Sequence, residues 1–159
     1  MTHHPSPWRH VRAILQLPFV VTVVVPAGLL LLGPASGSTS WIWRLLGLAL
    51  ILAGLTLIVT TVRLLARSGG GTLAPWDHTV RLVVAGPYRY VRNPMITGVF
   101  AVLLGESLLF GSTALLLWFG GFVLVNVAYI RLSEEPGLRR RFGKDYDVYA
   151  ANVPPWFPR

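Results

Sequence analysis

The chain has 159 residues, of which 53% are hydrophobic and only 13% are charged, and its formal net charge is +8. A soluble domain carries about 25% charged residues, so this chain has too few charges to cover a surface exposed to water. It contains no cysteine, which excludes disulfide bonds and thiolate chemistry. A basic chain could bind nucleic acid, but these charges lie at the borders of apolar segments, which favours a membrane protein.

Four apolar segments follow one another along the chain. They run from Ala13 to Leu32, from Trp41 to Ala66, from Pro94 to Phe110 and from Thr113 to Ile130. A helix needs about 17 to 25 residues to cross the hydrocarbon core, and lipid offers no partners for unpaired backbone groups. The sequence therefore predicts an all-α integral membrane protein with about four transmembrane helices.

Basic residues are concentrated on one side of these segments, whereas the connections 33–40 and 111–112 carry no charge. By the positive-inside rule, both termini and the long middle connection are cytoplasmic. The first apolar run is longer than the usual 7 to about 15 residues of a signal peptide, so we expect it to remain as a span. The basic residues on the cytoplasmic side are Arg9, Arg12, Arg63, Arg67, Arg81, Arg89, Arg92, Arg131, Arg139, Arg140, Arg141 and Lys144.

Glycine recurs inside the last three apolar segments. Small residues let helix backbones approach closely in lipid, so we expect these glycines to serve helix packing. Only Gly111 and Ser112 separate the third segment from the fourth, which makes these two helices antiparallel neighbours. The glycines are Gly47, Gly54, Gly98, Gly105, Gly120 and Gly121.

The connection between the second and third segments is more distinctive than an ordinary loop. From Gly69 to Pro94 it has the sequence GGGTLAPWDHTVRLVVAGPYRYVRNP, with a β-like run at Val80–Val84. Asn93 followed by Pro94 is typical of a helix start, because asparagine caps helices and proline fits the first turn. The simpler interpretation of this stretch is a capped helix with a basic anchor at the membrane interface.

The last segment, residues 133–159, predicts a C-terminal amphipathic cytoplasmic helix. Ser133, the pair Glu134-Glu135 and then Pro136 form a favourable start, since acids stabilise the positive end of a helix dipole. An apolar stripe of this kind suits a helix lying on anionic lipid. The stripe consists of Leu138, Phe142, Tyr146 and Tyr149.

Acidic side chains occupy two unexpected places. Glu134 and Glu135 follow a membrane helix at a leaflet that favours basic residues, so they require a helix cap or a bound cation as a reason. Glu106 lies within the third apolar segment, about 18 Å along the helix from Pro94, and is interpreted as structural. Asn126 in the fourth segment predicts an interhelical hydrogen bond.

Several other chemistries are not indicated. The chain has no GxxxxGK[ST], GxGxxG or GxSxG motif, so it lacks the usual signatures of phosphate loops, dinucleotide sites and nucleophile elbows. We expect no metal and no nucleic-acid partner, because the histidines lack the spacing of metal ligands. The histidines are His3, His4, His10 and His78.

Taken together, LVVAGPYRYVRNPMITG and, after a helical hairpin, EEPGLRRRFGKDYDVYAANVPPWFP resemble the isoprenylcysteine carboxyl methyltransferase family. This family is akin to the membrane phospholipid N-methyltransferases. The resemblance covers about residues 71–159, and the order and spacing of the two motifs make it fairly specific. It implies a methyltransferase that uses S-adenosylmethionine within the membrane. Residues 1–66 would then be two N-terminal transmembrane helices, and residues 67–159 a methyltransferase-like core.

The resemblance also implies a set of site residues. The family usually has histidine where Asn93 stands and often tyrosine where Ile96 stands, so the cofactor contact at Asn93 stays open. Arg131 is similar to an arginine that the family places at the substrate. The implied cofactor-binding residues are Leu82, Val83, Tyr88, Arg92, Asn93, Pro94, Met95, Ile96 and Glu134.

The chemistry of these residues agrees with methyl transfer. Tyr88 can offer an aromatic face to a sulfonium, and Glu134 can accept hydrogen bonds from a ribose or an amino group. A carboxylate acceptor needs orientation by an arginine such as Arg131 or Arg89. An amine acceptor would instead have to lose a proton, for which Glu135 is the nearest candidate base.

The sequence thus predicts a multi-pass membrane methyltransferase that acts on a lipid-like or prenylated acceptor drawn from membrane lipid. O-methylation of a carboxylate is the preferred hypothesis, and N-methylation of a phospholipid or another amine is the alternative. A structural membrane protein without enzymatic activity is the competing class. A transporter has little support, because the membrane segments carry one acid and no repeat.

Overall fold

The computed structural model describes residues 18–33, 37, 39–67 and 84–157. Within these residues the chain is helical and contains no strand, as the sequence predicts. In chain order the α-helices are α1 (Val25–Leu32), α2 (Trp41–Arg67), α3 (Pro94–Phe110), α4 (Thr113–Tyr129), α5 (Glu135–Phe142) and α6 (Lys144–Asn152).

Two helical stretches are long and apolar enough to cross a membrane. They are Trp41–Leu65 and Thr113–Phe142, and only 22% and 11% of their most apolar windows are buried inside the protein. A core helix of a soluble protein would be mostly buried, so these exposed apolar surfaces suit lipid. The helical stretches Val20–Leu32 and Pro94–Phe110 are apolar but shorter. The structure thus supports two of the four predicted spans by length.

Helices α2 and α3 pack backbone to backbone along a seam of two glycine pairs. A Cβ atom built on Gly54 would lie 2.5 Å from the carbonyl oxygen of Gly98, and one on Gly47 would lie 2.6 Å from that of Gly105. No side chain fits at such distances, so all four positions require glycine. The predicted packing role is confirmed for these four. Gly120 and Gly121 are different, because a Cβ atom there meets no described atom within 4 Å.

Helices α3 and α4 form the predicted antiparallel hairpin. Gly111 makes the turn with φ +59°, and the side chain of Ser112 caps α4 by accepting from the backbone N–H of Leu115. The predicted interhelical bond of Asn126 is wrong, since its Nδ2 donates to the carbonyl of Phe122 in the same helix at 2.8 Å.

Both π-helical turns in the described chain precede a proline. Val20–Val24 lies just before Pro26, and Ile130–Glu134 lies just before Pro136. A proline ring clashes with the carbonyl four residues earlier in an α-helix, and a wider turn relieves that clash. In the first π-helical turn the backbone N–H of Val25 donates to the carbonyl of Val20, and Pro26 has no N–H that could donate to the carbonyl of Val21.

The carbonyl of Val21 is therefore left without a helical partner. Trp118 Nε1 on α4 donates to it at 3.2 Å and so ties α4 to the first apolar segment. The second π-turn joins α4 to α5 without a break. Glu134 has α-helical dihedral angles and makes no capping hydrogen bond. The helix start predicted at Ser133 is therefore wrong.

The predicted C-terminal helix is divided at Gly143, which has φ +53° and ψ −129°. Helix α6 then turns back against α5, and residues 153–157, the C-terminal strap, follow it. Tyr146, Tyr149 and Val153 form a small core, with 2%, 8% and 8% of their surfaces exposed. The apolar stripe therefore packs inside the C-terminal unit, whereas the sequence predicted that it lies on lipid.

Candidate active site

The Tyr88 turn is a short 3₁₀ helix, Gly86–Arg89, that follows the undescribed part of the middle connection. Gly86 begins it with φ +53°, a conformation that favours glycine. The backbone N–H of Tyr88 donates to the carbonyl of Ala85 at 3.1 Å. The hydroxyl of Tyr149 on α6 donates to the carbonyl of Tyr88 at 2.8 Å, so the C-terminal unit supports the turn.

The start of α3 is bound by the C-terminal strap. The backbone N–H of Arg92 donates to the carbonyl of Pro154 at 2.9 Å, and that of Asn93 donates to the carbonyl of Pro155 at 3.3 Å. Asn93 Nδ2 also donates to Pro155, at 3.4 Å. The side chain of Asn93 makes no capping bond to α3, so the predicted side-chain cap is wrong. The backbone carbonyl of Asn93 accepts from the N–H of Thr97 at 2.9 Å instead.

Arg92 joins three elements. Its guanidinium lies 2.8 Å from the Glu135 carboxylate, and the two side chains are 13% and 21% exposed. Arg92 Nη1 also donates to the hydroxyl of Tyr146 at 3.2 Å. Arg92 Nε is buried and has no hydrogen-bond partner among the described residues. The ion pair therefore ties the start of α3 to the start of α5 and leaves one buried donor free for a further acceptor.

Tyr88 and Glu134 lie on the same side of the helical bundle. Burial raises the pKa of the Tyr88 hydroxyl above its ordinary value, and the neighbouring Tyr149 and Glu134 raise it further. Glu134 can act on Tyr88 only if the two side chains are close. Residues 46 positions apart in the sequence, on either side of the α3–α4 hairpin, therefore meet at one end of the bundle.

The site residues predicted from the sequence fall into three groups. Leu82 and Val83 lie outside the described residues. Arg89 and Arg131 are exposed and form no ion pair within the described chain. The others line the Tyr88 turn, the first turn of α3 and the start of α5, and they are Tyr88, Arg92, Asn93, Pro94, Met95, Ile96, Glu134 and Glu135.

Sequence analysis missed the strap and the roles of the two α6 tyrosines. Tyr146 and Tyr149 were noticed only as an apolar stripe, although both hydroxyls reach the opposite side of the site. The dipeptide Pro154-Pro155 was a usable signal, because consecutive prolines end a helix and hold the chain extended with free carbonyls. In the part of the chain that the structure describes, no three His, Cys, Asp or Glu side chains group as metal ligands.

Alkaline pH should weaken the protein through Tyr149. Burial raises the pKa of its hydroxyl to about 12, with Tyr146 adding to the rise and Arg92 opposing it. The neutral tyrosine is therefore favoured in the folded state. Its contribution is complete below pH 10 or so, the ordinary pKa, and is lost as the pH rises to about 12.

We expect the free energy of unfolding to fall by about 2 kcal/mol over this pH range on account of Tyr149 alone. Denaturant titrations in detergent, followed by circular dichroism, would measure it. Tyr149→Phe should show a smaller fall than wild type. Tyr90→Phe is the matched control, because Tyr90 is 66% exposed and should leave the fall unchanged. Equal falls in wild type and Tyr149→Phe would contradict the assignment.

Comparison with known families adds one finding. Residues 42–145, about two thirds of the chain, match the phospholipid methyltransferase family. The match includes α2, the Tyr88 turn, the α3–α4 hairpin and α5, and it ends at the start of α6. No curated protein and no solved structure gives a significant match.

Proposed function

The chain belongs to the phospholipid methyltransferase family, a family of membrane methyltransferases, and on this premise we propose that it methylates a lipid-like acceptor with S-adenosylmethionine. The observation that carries the proposal is the meeting of the Tyr88 turn and the Glu134-Glu135 pair at one end of the bundle. These are the two motifs on which the resemblance rests. A structural membrane protein would have no need to bring them together.

The residues at this site fit the groups of the methyl donor. The buried, unpartnered Nε of Arg92 is a donor that the donor's carboxylate would satisfy. The ring of Tyr88 can face the sulfonium, and the exposed carboxylate of Glu134 can accept from the ribose or the amino group. We propose that Leu82, Val83 and the first turn of α3 from Pro94 to Ile96 complete the site.

When bound, S-adenosylmethionine supplies an electrophilic methyl group on a positively charged sulfur. The chain contributes position and environment. The turn of Tyr88 is fixed at both ends by hydrogen bonds, which lowers the cost of holding two reactants in line. Charge is neutralised when a methyl group passes from a sulfonium to a carboxylate, so a partly buried site that excludes water favours that reaction.

Arg89 and Arg131 are proposed to orient the acceptor. Both are exposed beside the site, and neither is paired within the described chain. An arginine can bind a carboxylate or a phosphate through two parallel hydrogen bonds. A carboxylate acceptor then needs no base, so O-methylation of an isoprenylcysteine-like or other lipid-like carboxylate is the preferred activity.

The family match itself favours a second candidate, N-methylation of a phospholipid amine. That reaction requires a group that accepts the proton of the amine. Glu135, the predicted base, is already engaged by the guanidinium of Arg92 at 2.8 Å. Glu134 would have to take that role in this case, in addition to binding the donor.

The basic residues support a topology for this activity. We propose that both termini and the active site lie on the cytoplasmic side, where the water-soluble donor is available. The exposed Arg89, Arg131, Arg139 and Arg140 surround this end of the bundle, whereas the Gly111-Ser112 turn at the other end is uncharged. The acceptor would reach the site from the bilayer.

Glu134→Ala should weaken binding of S-adenosylmethionine by about 30-fold, because hydrogen bonds to a charged group are worth about 1.5 to 3 kcal/mol. Isothermal titration calorimetry of the protein in detergent would measure this. Asp145→Ala is the matched control, since Asp145 is an exposed acid in the first turn of α6. If wild type binds no donor at millimolar concentration, the proposed function is wrong. Equal affinity in Glu134→Ala and wild type would remove only the site assignment.

The acceptor can be identified with labelled methyl donor and total membrane lipid. A methyl ester releases labelled methanol, which is volatile, when treated with base, whereas an N-methyl group stays bonded to the amine in a non-volatile product. Release of the label would support carboxylate methylation, and retention on a phospholipid amine would support the second candidate. Wild type that binds donor but labels no lipid would point to an acceptor outside the lipid fraction.

A further inference from the structure

The residues that hold the Tyr88 turn and the start of α3 in place lie beyond the part of the chain that matches the family. That match ends at residue 145. From residue 146 onward, five residues bond to the Tyr88–Thr97 segment. Tyr149 donates to the carbonyl of Tyr88. In the remaining bonds Arg92, Asn93 and Thr97 are the donors, and the acceptors are the Tyr146 hydroxyl and the carbonyls of Pro154, Pro155 and Trp156.

The strap is anchored at both ends. Val153 is buried with Tyr146 and Tyr149, and the ring of Trp156 packs on Phe100 of α3 with centroids 5.3 Å apart. Between these anchors the two proline carbonyls face the N–H groups of Arg92 and Asn93. Proline fixes φ, so the carbonyls are presented in a nearly rigid arrangement.

Asn93 is the centre of this contact. Its backbone N–H and its side-chain amide both donate to Pro155, and its backbone carbonyl accepts from Thr97. The side-chain Nδ2, the backbone N–H and the backbone carbonyl of Asn93 are thus engaged within the protein. This residue stands where the resemblance leads one to expect histidine.

We propose that residues 146–156 are a template that holds the Tyr88–Thr97 segment in its donor-binding shape, and that Asn93 and Tyr149 are positioning residues. They act through the strap and through the Tyr88 turn, without contact to the donor. The proposal rests on the proposed function, since it concerns the same site. It replaces the cofactor contact expected of Asn93 by a contact to Pro155.

The first test measures donor affinity. Asn93→Ala and Tyr149→Phe should each weaken binding of S-adenosylmethionine by about threefold to tenfold, the usual worth of one hydrogen bond. The donor affinities of two matched control variants should stay within about twofold of the wild-type affinity. Asn152→Ala removes an amide that bonds only to Val148 in its own helix, and Tyr90→Phe removes an exposed hydroxyl next to the turn.

The second test reports on the strap without any ligand. The chain has no cysteine, so a single Val153→Cys substitution gives one site for maleimide labelling in detergent. Val153 is 8% exposed, and labelling should be slow. Adding Asn93→Ala should raise the labelling rate several-fold because the strap is released more often, whereas adding Asn152→Ala should not. An unchanged rate in Asn93→Ala would overturn the template.

A third measurement separates a positioning residue from a ligand. Trp156→Ala loosens the strap from Phe100 in the full-length chain. If Asn93 acts through the strap, Asn93→Ala should weaken donor binding less on this background than in wild type. Equal losses on both backgrounds would make Asn93 a direct ligand and overturn the proposal. No donor binding by wild type would overturn the proposed function, whereas equal binding by wild type, Asn93→Ala and Tyr149→Phe would overturn only the positioning roles.

Discussion

Arg92→Met should lower the free energy of unfolding by about 3 kcal/mol, the lower end of the cost of breaking a buried ion pair from one side, because this pair is only partly buried. The substitution leaves the Glu135 carboxylate, which is 21% exposed, without its partner at 2.8 Å. It also removes the donor to the Tyr146 hydroxyl, which is itself buried. Urea titration in detergent micelles, followed by far-ultraviolet circular dichroism, would measure the loss. Donor affinity should fall as well, since the start of α3 loses its tie to α5.

Two further variants separate the buried ion pair from charge in general. Arg139→Met removes a surface arginine that lies 3.4 Å from Asp147, with both side chains 61% exposed, and should cost less than 1 kcal/mol or so. The double variant Arg92→Met with Glu135→Leu should recover most of the lost stability, because it leaves no unpaired charge. A double variant as unstable as Arg92→Met alone would show that the ion pair is not the cause.

Gly54→Val should lower stability by about 3 kcal/mol, at the upper end of the cost of overpacking. Its Cβ would lie 2.5 Å from the carbonyl oxygen of Gly98 and 3.0 Å from the backbone nitrogen of Val102. Both atoms are backbone, so the clash can be relieved only by moving α3 away from α2. The loss can be measured as a lower midpoint of thermal unfolding in detergent.

Gly120→Val on α4 is the matched control for this substitution. It adds the same side chain to a helix of similar composition, but a Cβ there meets no described atom within 4 Å. We expect its stability to stay within about 0.5 kcal/mol of wild type. A loss at Gly120 as large as that at Gly54 would mean that this face of α4 also packs closely. In that case the claim that Gly54 is closely packed and Gly120 is not would be wrong.

The sequence was sufficient for the helices that lie in the apolar segments. The predicted bounds of the third apolar segment, Pro94–Phe110, are those of α3. Pro94 favours the start of a helix, and the Gly111-Ser112 pair favours its end. The glycines of the seam were also recognisable, since Gly47 and Gly54 in one apolar segment, and Gly98 and Gly105 in the next, are each seven residues apart. Periodicity and terminal signals are local properties, and they suffice where a helix is set by its own sequence.

The sequence was insufficient where distant residues decide the structure. Ser133 followed by two acids and Pro136 has the composition of a helix start, yet a π-turn lets the helix continue through the proline. The side chain of Asn93 could have capped α3 by accepting through its Oδ1, but its amide is oriented by donating from Nδ2 to the carbonyl of Pro155, 62 residues away. Neither outcome follows from local pattern, because both depend on how the C-terminal unit folds back on the bundle.

The glycine seam between α2 and α3 also limits how an acyl chain can enter. At the two glycine pairs the contact is made by main-chain atoms, so there is no rotamer that could swing aside to open a lateral gap. Rigid-body separation of the two helices would be needed instead. On the proposed function, an apolar acceptor would therefore enter along another side of α3.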